Sequence, residues 1–196
     1  MMQLSEAKNF IIEKLKKELP GHLSYHNVAH TEDVYGACKQ IALSENIQGE
    51  DLELLLTAAA FHDSGFIVRA EGHELISCEI ARENLPRYGY SAAQMDRVCG
   101  MIMATKIPQM PQNHIENVMS DADLDYLGRD DFSEISNKLF LELVATEKIK
   151  DEDAWNRLQV KFFDSHHYFT ETSKQNRNKK KQQNLDLVKS KIEGAI

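Results

Sequence analysis

The sequence predicts an all-α fold in a single domain, and three observations support this prediction. Apolar residues recur at helix-like intervals, as Leu4, Ile11 and Leu15 do in the first segment. Proline and glycine interrupt such segments at short spacing, beginning with "PG" at 20–21. No segment alternates apolar and polar residues convincingly, and "GFIVR" at 65–69 is the only short candidate for a strand.

The predicted helices have recognisable start or stop signals. The acids of "GED" at 49–51 precede the third apolar run, where negative charge suits a helix N-terminus, and Gly65 ends that run. Two prolines predict a loop for "KIPQMPQ" at 106–112. The predicted helices span residues 4–19, 27–45, 52–63, 73–85 and 91–105, and two or three longer charged helices follow across 131–193.

Composition and charge are those of a soluble globular protein. The 196 residues are enough for one sizeable core. The net charge of −8 argues against general nucleic-acid binding, which usually needs a basic protein. Residues 1–20 are amphipathic and charged, unlike a secretory signal or a membrane span. Three scattered cysteines predict reduced thiols and a cytoplasmic location, and a homo-oligomer is compatible with these features.

The dipeptide His62–Asp63 ends the apolar run "AAAF". No lysine or arginine lies near enough in sequence to pair with Asp63, and a carboxylate near a core must be paired, protonated or bound to a metal ion. Taken alone, the dipeptide is better explained as a helix end at which the histidine satisfies the last carbonyl groups. It becomes informative only together with other ionisable side chains in similar places.

Two further clusters supply such side chains. In "YHNVAH", His26 and His30 are four residues apart on one helix face, which continues inward through Val34. In "SDADLDYLG", Asp121 and Asp123 lie in a partly apolar segment. A hydrogen-bonded core histidine and a solvated acidic turn are the simpler explanations for each cluster alone. Together, imidazole and carboxylate groups form a ligand set for Mn, Fe, Co, Ni or Zn, whereas Mg more often takes oxygen ligands only.

Four stretches occur in an order that is typical of one protein family. They are "YHNVAHTEDV", "AAAFHDSGF", "GHELISCEIA" and "DADLDYLG", and four ordered matches are far more specific than one dipeptide. They resemble the HD-domain metal-dependent phosphohydrolases. "FDSHHYFTETSKQNRNKKKQQNL" is similar to the C-terminal part of one branch of predicted HD phosphohydrolases, so the resemblance covers about residues 22–188. It implies an HD-type helical bundle with a metal-site core at about 22–130 and C-terminal helices at about 131–196.

The resemblance implies a set of metal ligands. His30 matches the first ligand, and His62 and Asp63 match the second and third. Asp123 matches the fourth, with Asp121 as a close rival because "DAD" offers either residue. The ion would be divalent, one of Mn, Fe, Co, Ni, Zn or Mg. Asp63 would both bind this ion and accept a proton from the water that the ion activates.

Other residues near these motifs have less certain roles. His26 would lie beside the metal without binding it, and Asp125 would be a surface or capping residue. A second metal ion would need further ligands, for which His73 and Glu74 are the candidates, and Ser77 would recur near the site. An acidic first turn of an ordinary helix explains Glu74 equally well.

Substrate phosphates would need cations. Arg69 lies in the loop after the His-Asp pair, and Lys106 follows "IMAT". Arg177 and either Lys180 or Lys181 lie in a short basic run, which is usually a solvated helix face but can also steer an anion.

The favoured function is a metal-dependent phosphohydrolase that acts on a nucleotide or another small phosphate ester. Two alternatives stay open. One is an HD-fold module that binds a nucleotide or senses a ligand without turnover, because Thr105 and Lys106 stand where many relatives have a histidine, and Glu71 is too distant to match a catalytic glutamate. The other is a di-iron, oxygenase-like HD protein, which requires more ligands than the sequence assigns.

Overall fold

The computed structural model describes residues 2–193, and within that range the chain forms helices and no β-strand. The prediction of an all-α bundle is therefore confirmed. Short loops and single-turn 3-10 helices join the α-helices. The α-helices, in chain order, are α1 Leu4–Glu18, α2 Val28–Ser44, α3 Gly49–Phe61, α4 His73–Asn84, α5 Ala92–Ala104, α6 His114–Asp123, α7 Phe132–Ala145, α8 Glu152–Ser165 and α9 Glu171–Glu193.

The candidate strand at 65–69 is instead part of a 3-10 helix over Ser64–Ile67. Its backbone hydrogen bonds close within the turn and do not reach another segment in strand fashion. Gly65 packs so closely on α4 that a Cβ would lie 2.0 Å from the carbonyl oxygen of His73. Only glycine permits this approach, which brings the start of α4 beside Asp63.

The helix α3 is the centre of the N-terminal part. Every residue from Leu54 to Phe61 is buried, so the helix is enclosed on all sides rather than amphipathic. α1, α2 and α5 pack against it, and α6 packs on α2 and α5. The three consecutive alanines at 58–60 let these neighbours approach closely.

A second, smaller core joins the C-terminal helices to the rest of the chain. α9 packs against α8 and against the 3-10 turn Asp125–Gly128. Gly128 permits this contact, because a Cβ there would lie 2.5 Å from Cβ of Arg177. The buried members of this core are Tyr25, Leu124, Tyr126, Leu127, Phe132, Phe163, Leu185 and Val188.

Two findings bear on the cellular setting. Across residues 2–193, none of the helices combines the length and the apolar character that crossing a bilayer requires. Cys38, Cys78 and Cys99 are all buried and are free thiols. The cytoplasmic location stays a prediction.

Candidate metal centre

Three helix ends meet at one point in the molecule. The first turn of α2 carries His30, and the Asn27 side chain caps this helix. His62 and Asp63 follow directly on the C-terminus of α3, and α6 ends at Asp123. The negative dipole ends of α3 and α6 favour positive charge at this point, and the single positive end of α2 opposes only part of this effect.

The four predicted ligands converge here. Nε2 of His30 and Nε2 of His62 are 3.4 Å apart. Asp63 Oδ2 lies 3.4 Å from the first nitrogen and 3.2 Å from the second, and Asp123 Oδ1 lies 3.3 Å and 3.5 Å from them. Ligands at about 2.1 Å from one ion are separated by about 3.0 to 3.4 Å in octahedral or tetrahedral geometry. Ligand atoms of His30, His62 and Asp123 lie within 4.8 Å of one another, and their spacing suits a single ion. Asp63 contacts both imidazoles but lies outside this mutually close set.

The hydrogen bonds around these atoms also suit a metal ion. His62 Nδ1 lies 2.8 Å from the carbonyl oxygen of Ala59, which can only accept, so Nδ1 carries a proton and Nε2 is the nitrogen that a metal ion can bind once the ring is neutral. Asp63 Oδ2 is buried and has no hydrogen-bond partner among the described residues. Lone pairs that face one another in a buried site repel unless a proton or a metal ion lies among them. The donor set thus fits a divalent ion.

The electrostatics of the centre favour positive charge as well. Burial lowers the pKa of His62, but Asp63 and Asp123 outweigh burial and raise this pKa well above its ordinary value. Burial raises the pKa of Asp123, but hydrogen bonds from His30 and His62 lower it to about 2. The pKa of Asp63 is also held well below its usual range, because His62 and His73 offset burial. Both carboxylates are therefore ionised at neutral pH and need a proton or a metal ion as counter-charge.

Asp121, the rival of Asp123, points away from the centre. Its buried carboxylate accepts hydrogen bonds from the backbone N–H groups of Phe169 and Thr170 at 2.8 Å each, and from the Thr170 hydroxyl at 2.7 Å. Burial still raises the pKa of Asp121 above its ordinary value despite these bonds. Asp121 thus fixes the chain before α9, and Asp123 is the aspartate that faces the imidazole of His30.

A cavity of about 720 Å³ opens beside the metal centre. Asp63, Asp123, His26, His73 and Glu74 form its polar end. Most of the remaining surface is apolar and comes from α7 and α8. We call this surface the apolar wall, and it consists of Leu139, Leu143, Trp155, Leu158, Phe162 and Phe163.

His73 and Glu74 extend the polar end beyond Asp63. His73 Nε2 lies 3.3 Å from Asp63 Oδ1 and 3.9 Å from Glu74 Oε1. Burial lowers the pKa of His73, but Asp63 outweighs burial and raises this pKa above its ordinary value. Ser77 accepts a hydrogen bond from the N–H of Gly65 at 2.8 Å and so supports the turn after Asp63. A second metal ion bound by His73 and Glu74 stays a prediction.

His26 is held by a residue that the sequence analysis did not single out. Glu142 of α7 accepts a short hydrogen bond from His26 Nδ1 through Oε1. Its Oε2 accepts the backbone N–H groups of Tyr25 at 2.8 Å and His26 at 3.0 Å. Burial raises the pKa of Glu142, but His26 offsets burial and lowers this pKa below its ordinary value. With Nδ1 engaged, Nε2 is the His26 nitrogen left for the cavity.

The sequence did contain a signal for Glu142. The residue interrupts the apolar run "LFLELV" of α7, and it is only 3% exposed. A carboxylate in such a place needs a partner, as Asp63 does. The partner itself is not predictable locally, because His26 lies 116 residues away in the chain.

Asp125 is a buried ionic partner rather than the surface or capping residue that was expected. It is 4% exposed, and it accepts hydrogen bonds from Arg177 Nε at 2.7 Å and Nη2 at 3.0 Å. Nη1 of Arg129 lies 3.6 Å from the same carboxylate. These contacts attach α9 to the turn Asp125–Gly128, and they occupy Arg177 outside the lining of the cavity.

The other predicted phosphate-binding cations differ from one another in whether they line the cavity. Lys106 is exposed and lines the cavity. Arg69 is exposed and donates from Nε to the carbonyl oxygen of Glu71 at 3.1 Å. Lys180 pairs with Asp130 at 2.5 Å. Of the four predicted cations, only Lys106 lines the cavity.

Comparison with known proteins adds one finding to this geometry. The family model described as the HD domain matches residues 27–126, which contain all four converging ligands. No curated protein and no solved structure matches the chain. The matched segment covers half of the chain and agrees with the ordered motifs and with the helix ends that carry them. The chain therefore belongs to the HD-domain family.

Proposed function

We propose that this protein is a metal-dependent phosphohydrolase that acts on a nucleotide or another small phosphate ester. The convergence at the His30 and His62 Nε2 atoms carries the proposal: the two nitrogens are 3.4 Å apart, and one oxygen each of Asp63 and Asp123 lies 3.2–3.5 Å from both. HD-domain membership supports the same chemistry. The adjoining cavity gives an ester access to Asp63 and Asp123.

The metal centre would supply the nucleophile. A bound divalent ion lowers the pKa of a water ligand to roughly 7, so that a nucleophile is present at neutral pH. Asp63 would accept the proton of that water through Oδ1, which lies 3.3 Å from His73 Nε2, whereas Oδ2 faces His30 and His62. His73 would then pass the proton to the cavity, which it lines.

His26 is suited to protonate the leaving group. Glu142 fixes the ring through Nδ1, so a protonated His26 can donate from Nε2 into the cavity. As the bond between phosphorus and the ester oxygen breaks, this proton would move to the departing oxygen and an alcohol would leave. Lys106, at the cavity surface, would attract the phosphate group. Ester oxygens that leave as alkoxides need such a proton most.

A metal and substrate screen tests the proposed function. Purified protein, stripped with a chelator and reloaded with Mn²⁺, Fe²⁺, Co²⁺, Ni²⁺, Zn²⁺ or Mg²⁺, is assayed against phosphate monoesters and diesters that include nucleotides. We expect hydrolysis with at least one metal, loss of hydrolysis on chelation and recovery on reloading. A fully metal-loaded protein that binds nucleotides but hydrolyses no ester would instead support the binding-module alternative. Two redox-active irons per chain would support the oxygenase-like alternative.

A further inference from the structure

The apolar wall has no role in the chemistry described above. It consists of aliphatic and aromatic side chains from two adjacent helices, and so differs in composition from the charged part of the cavity that contains the metal ligands. Trp155 and Phe163 are buried within it, whereas Leu143 is half-buried and Leu158 is 43% exposed. Pockets of about 300–1,000 Å³ with such linings enclose small organic ligands. The volume and lining thus suit an apolar group rather than a bare phosphate.

The charge of the cavity limits the charge of its ligand. Among the described residues that line the cavity, Lys106 is the only lysine or arginine. The carboxylates of Asp63, Glu71, Glu74 and Asp123 line the same cavity. A divalent ion would neutralise part of this negative charge, but little positive charge would remain for a chain of several phosphates. A polyphosphate is therefore a poor match, and a ligand with one phosphate group is a good one.

We propose that the site takes a phosphoester with a single phosphate group whose remaining part is aromatic or aliphatic and packs on the apolar wall. This inference rests on the proposed function, because it names the substrate class of the same site. The phosphate would lie at the polar end near Asp63, Asp123 and Lys106. The apolar part would extend towards Leu143 and Trp155, where aromatic rings and aliphatic groups are favourable contacts.

Binding of matched phosphonates tests the proposal without any turnover. Phenylphosphonate and methylphosphonate carry the same charged group, differ only in the apolar part, and have no ester bond to hydrolyse. Calorimetric titration of the Mg²⁺-loaded protein should show phenylphosphonate binding at least about 10-fold more tightly than methylphosphonate, since contacts in an apolar pocket discriminate on this scale. Inorganic tripolyphosphate should bind no more tightly than methylphosphonate. Equal affinities for the two phosphonates, or tightest binding of tripolyphosphate, would overturn the inference.

The chain carries its own reporter of where the ligand binds. Trp155 is the only tryptophan in the sequence and lines the cavity. Phenylphosphonate should therefore change its fluorescence in parallel with the calorimetric binding curve. Binding without any change in Trp155 fluorescence would count against the apolar wall as the binding surface.

Two variants of the apolar wall are compared with a control variant on α7 outside the cavity. Leu143→Ser and Leu158→Ser should each lower the affinity ratio of phenylphosphonate to methylphosphonate by several-fold to about 10-fold. Both positions are partly exposed, so the fold should tolerate serine. Leu141→Ser lies on α7, at a 51% exposed position outside the cavity lining, and should leave the ratio unchanged. An equal effect of all three variants would contradict the proposed contact.

The outcomes separate this inference from the proposed function. A protein that prefers phenylphosphonate but hydrolyses no ester would support the ligand class and contradict the phosphohydrolase proposal. A protein that hydrolyses phenyl phosphate and methyl phosphate with equal kcat/KM, and binds the two phosphonates equally, would support the phosphohydrolase proposal and overturn the ligand class.

Discussion

The two ends of the cavity differ in both chemistry and origin. The metal ligands of the polar end lie within residues 27–126, the segment that matches the HD domain, whereas the apolar wall lies beyond it on α7 and α8. The polar end concentrates charge that can activate water, and the apolar wall offers uncharged surface. Under the two proposals, reaction type and ligand preference would thus depend on separate stretches of the chain. Glu142 is the exception, because it lies on α7 but serves the polar end through His26.

Loss of a predicted metal ligand should have the largest effect, because it should abolish the chemistry of the polar end and leave the apolar wall intact. Asp63→Ala or His62→Ala should reduce bound metal and lower hydrolysis by about 1,000-fold or more, since losing a supporting residue alone often costs about 10- to 100-fold in metal affinity or activity. Metal content by mass spectrometry and kcat/KM are the measurements. Unchanged turnover in the Asp63→Ala protein would contradict the assignment of the centre.

Asp121→Asn is the matched control for these ligand variants. It removes a charge two residues from Asp123, but its contacts are with Phe169 and Thr170. We expect a lower free energy of unfolding and an unchanged metal content. Loss of metal without loss of stability would show that Asp121 is the ligand instead.

Removal of the proton donor should have the next largest effect, and only for poor leaving groups. His26→Ala should lower kcat for alkyl phosphate esters by about 100-fold or more, as is typical for loss of general acid catalysis. Esters of para-nitrophenol, whose leaving group needs no proton, should be hydrolysed at nearly the wild-type rate. Equal losses for both ester types would argue against proton donation.

The Glu142→Gln variant distinguishes positioning from proton donation. Glutamine keeps an acceptor for the Tyr25 and His26 backbone N–H groups but weakens the hold on His26 Nδ1. The fold should persist, and kcat should fall more for alkyl esters than for para-nitrophenyl esters, because a less firmly held His26 ring is less often in place to donate. Equal losses for both ester types would indicate a purely structural role.

Loss of the Arg177–Asp125 pair should affect stability rather than chemistry. Arg177→Ala leaves the nearly buried carboxylate of Asp125 with only the more distant Arg129, so the free energy of unfolding should fall by about 2 kcal/mol. Chemical denaturation measures this change. The metal content of the folded protein should not change, and loss of metal would show that α9 supports the centre directly.

The pH dependence of metal binding should be the most gradual of these effects. The pKa of His62 in the metal-free fold lies above its unfolded value, so its proton stabilises that fold below about pH 6.5, and this contribution is lost as pH rises through the folded-state pKa. Metal binding requires the unprotonated ring, so metal affinity should rise by up to about 10-fold per pH unit in that range. Asp123, with a pKa of about 2, stays ionised throughout.

Thermal unfolding with and without a fixed concentration of free Mn²⁺ measures this effect. The stabilisation by Mn²⁺ should grow between about pH 6 and pH 8, because ligand binding to the folded state adds to its stability. The His62→Ala protein should lack this growth. A pH-independent stabilisation in the wild-type protein would contradict the displacement of a proton.

Much of the fold follows from local signals. α2 begins beside Asn27, whose side chain caps the helix, and α3 begins with the predicted glycine and acids at 49–51. Capping and breaking residues act over a few positions, so their effect can be predicted from sequence. The segment 65–69 shows the limit of this approach. Its apolar residues are compatible with a strand, and the tight turn depends on the contact of Gly65 with His73, which the local sequence does not reveal.

The candidate site was less predictable where distant residues meet. Asp121 and Asp123 are two positions apart on α6, so they point about 200° from each other, and packing alone decides which one faces His30. Glu142 and the apolar wall come from helices whose docking depends on the second core. Their contribution to the cavity follows from tertiary packing rather than from any motif.

Glu142 and Leu143 are neighbours on α7, and they serve different ends of the cavity. Glu142 orients the His26 imidazole, while Leu143 lines the interior of the cavity. If α7 shifted when a ligand bound at Leu143, the neighbouring Glu142 would shift with it and would move the proposed acid catalyst, His26. If both proposals hold, ligand binding and proton donation would be coupled through α7, and a substitution at position 143 that changes ligand preference would also affect catalysis.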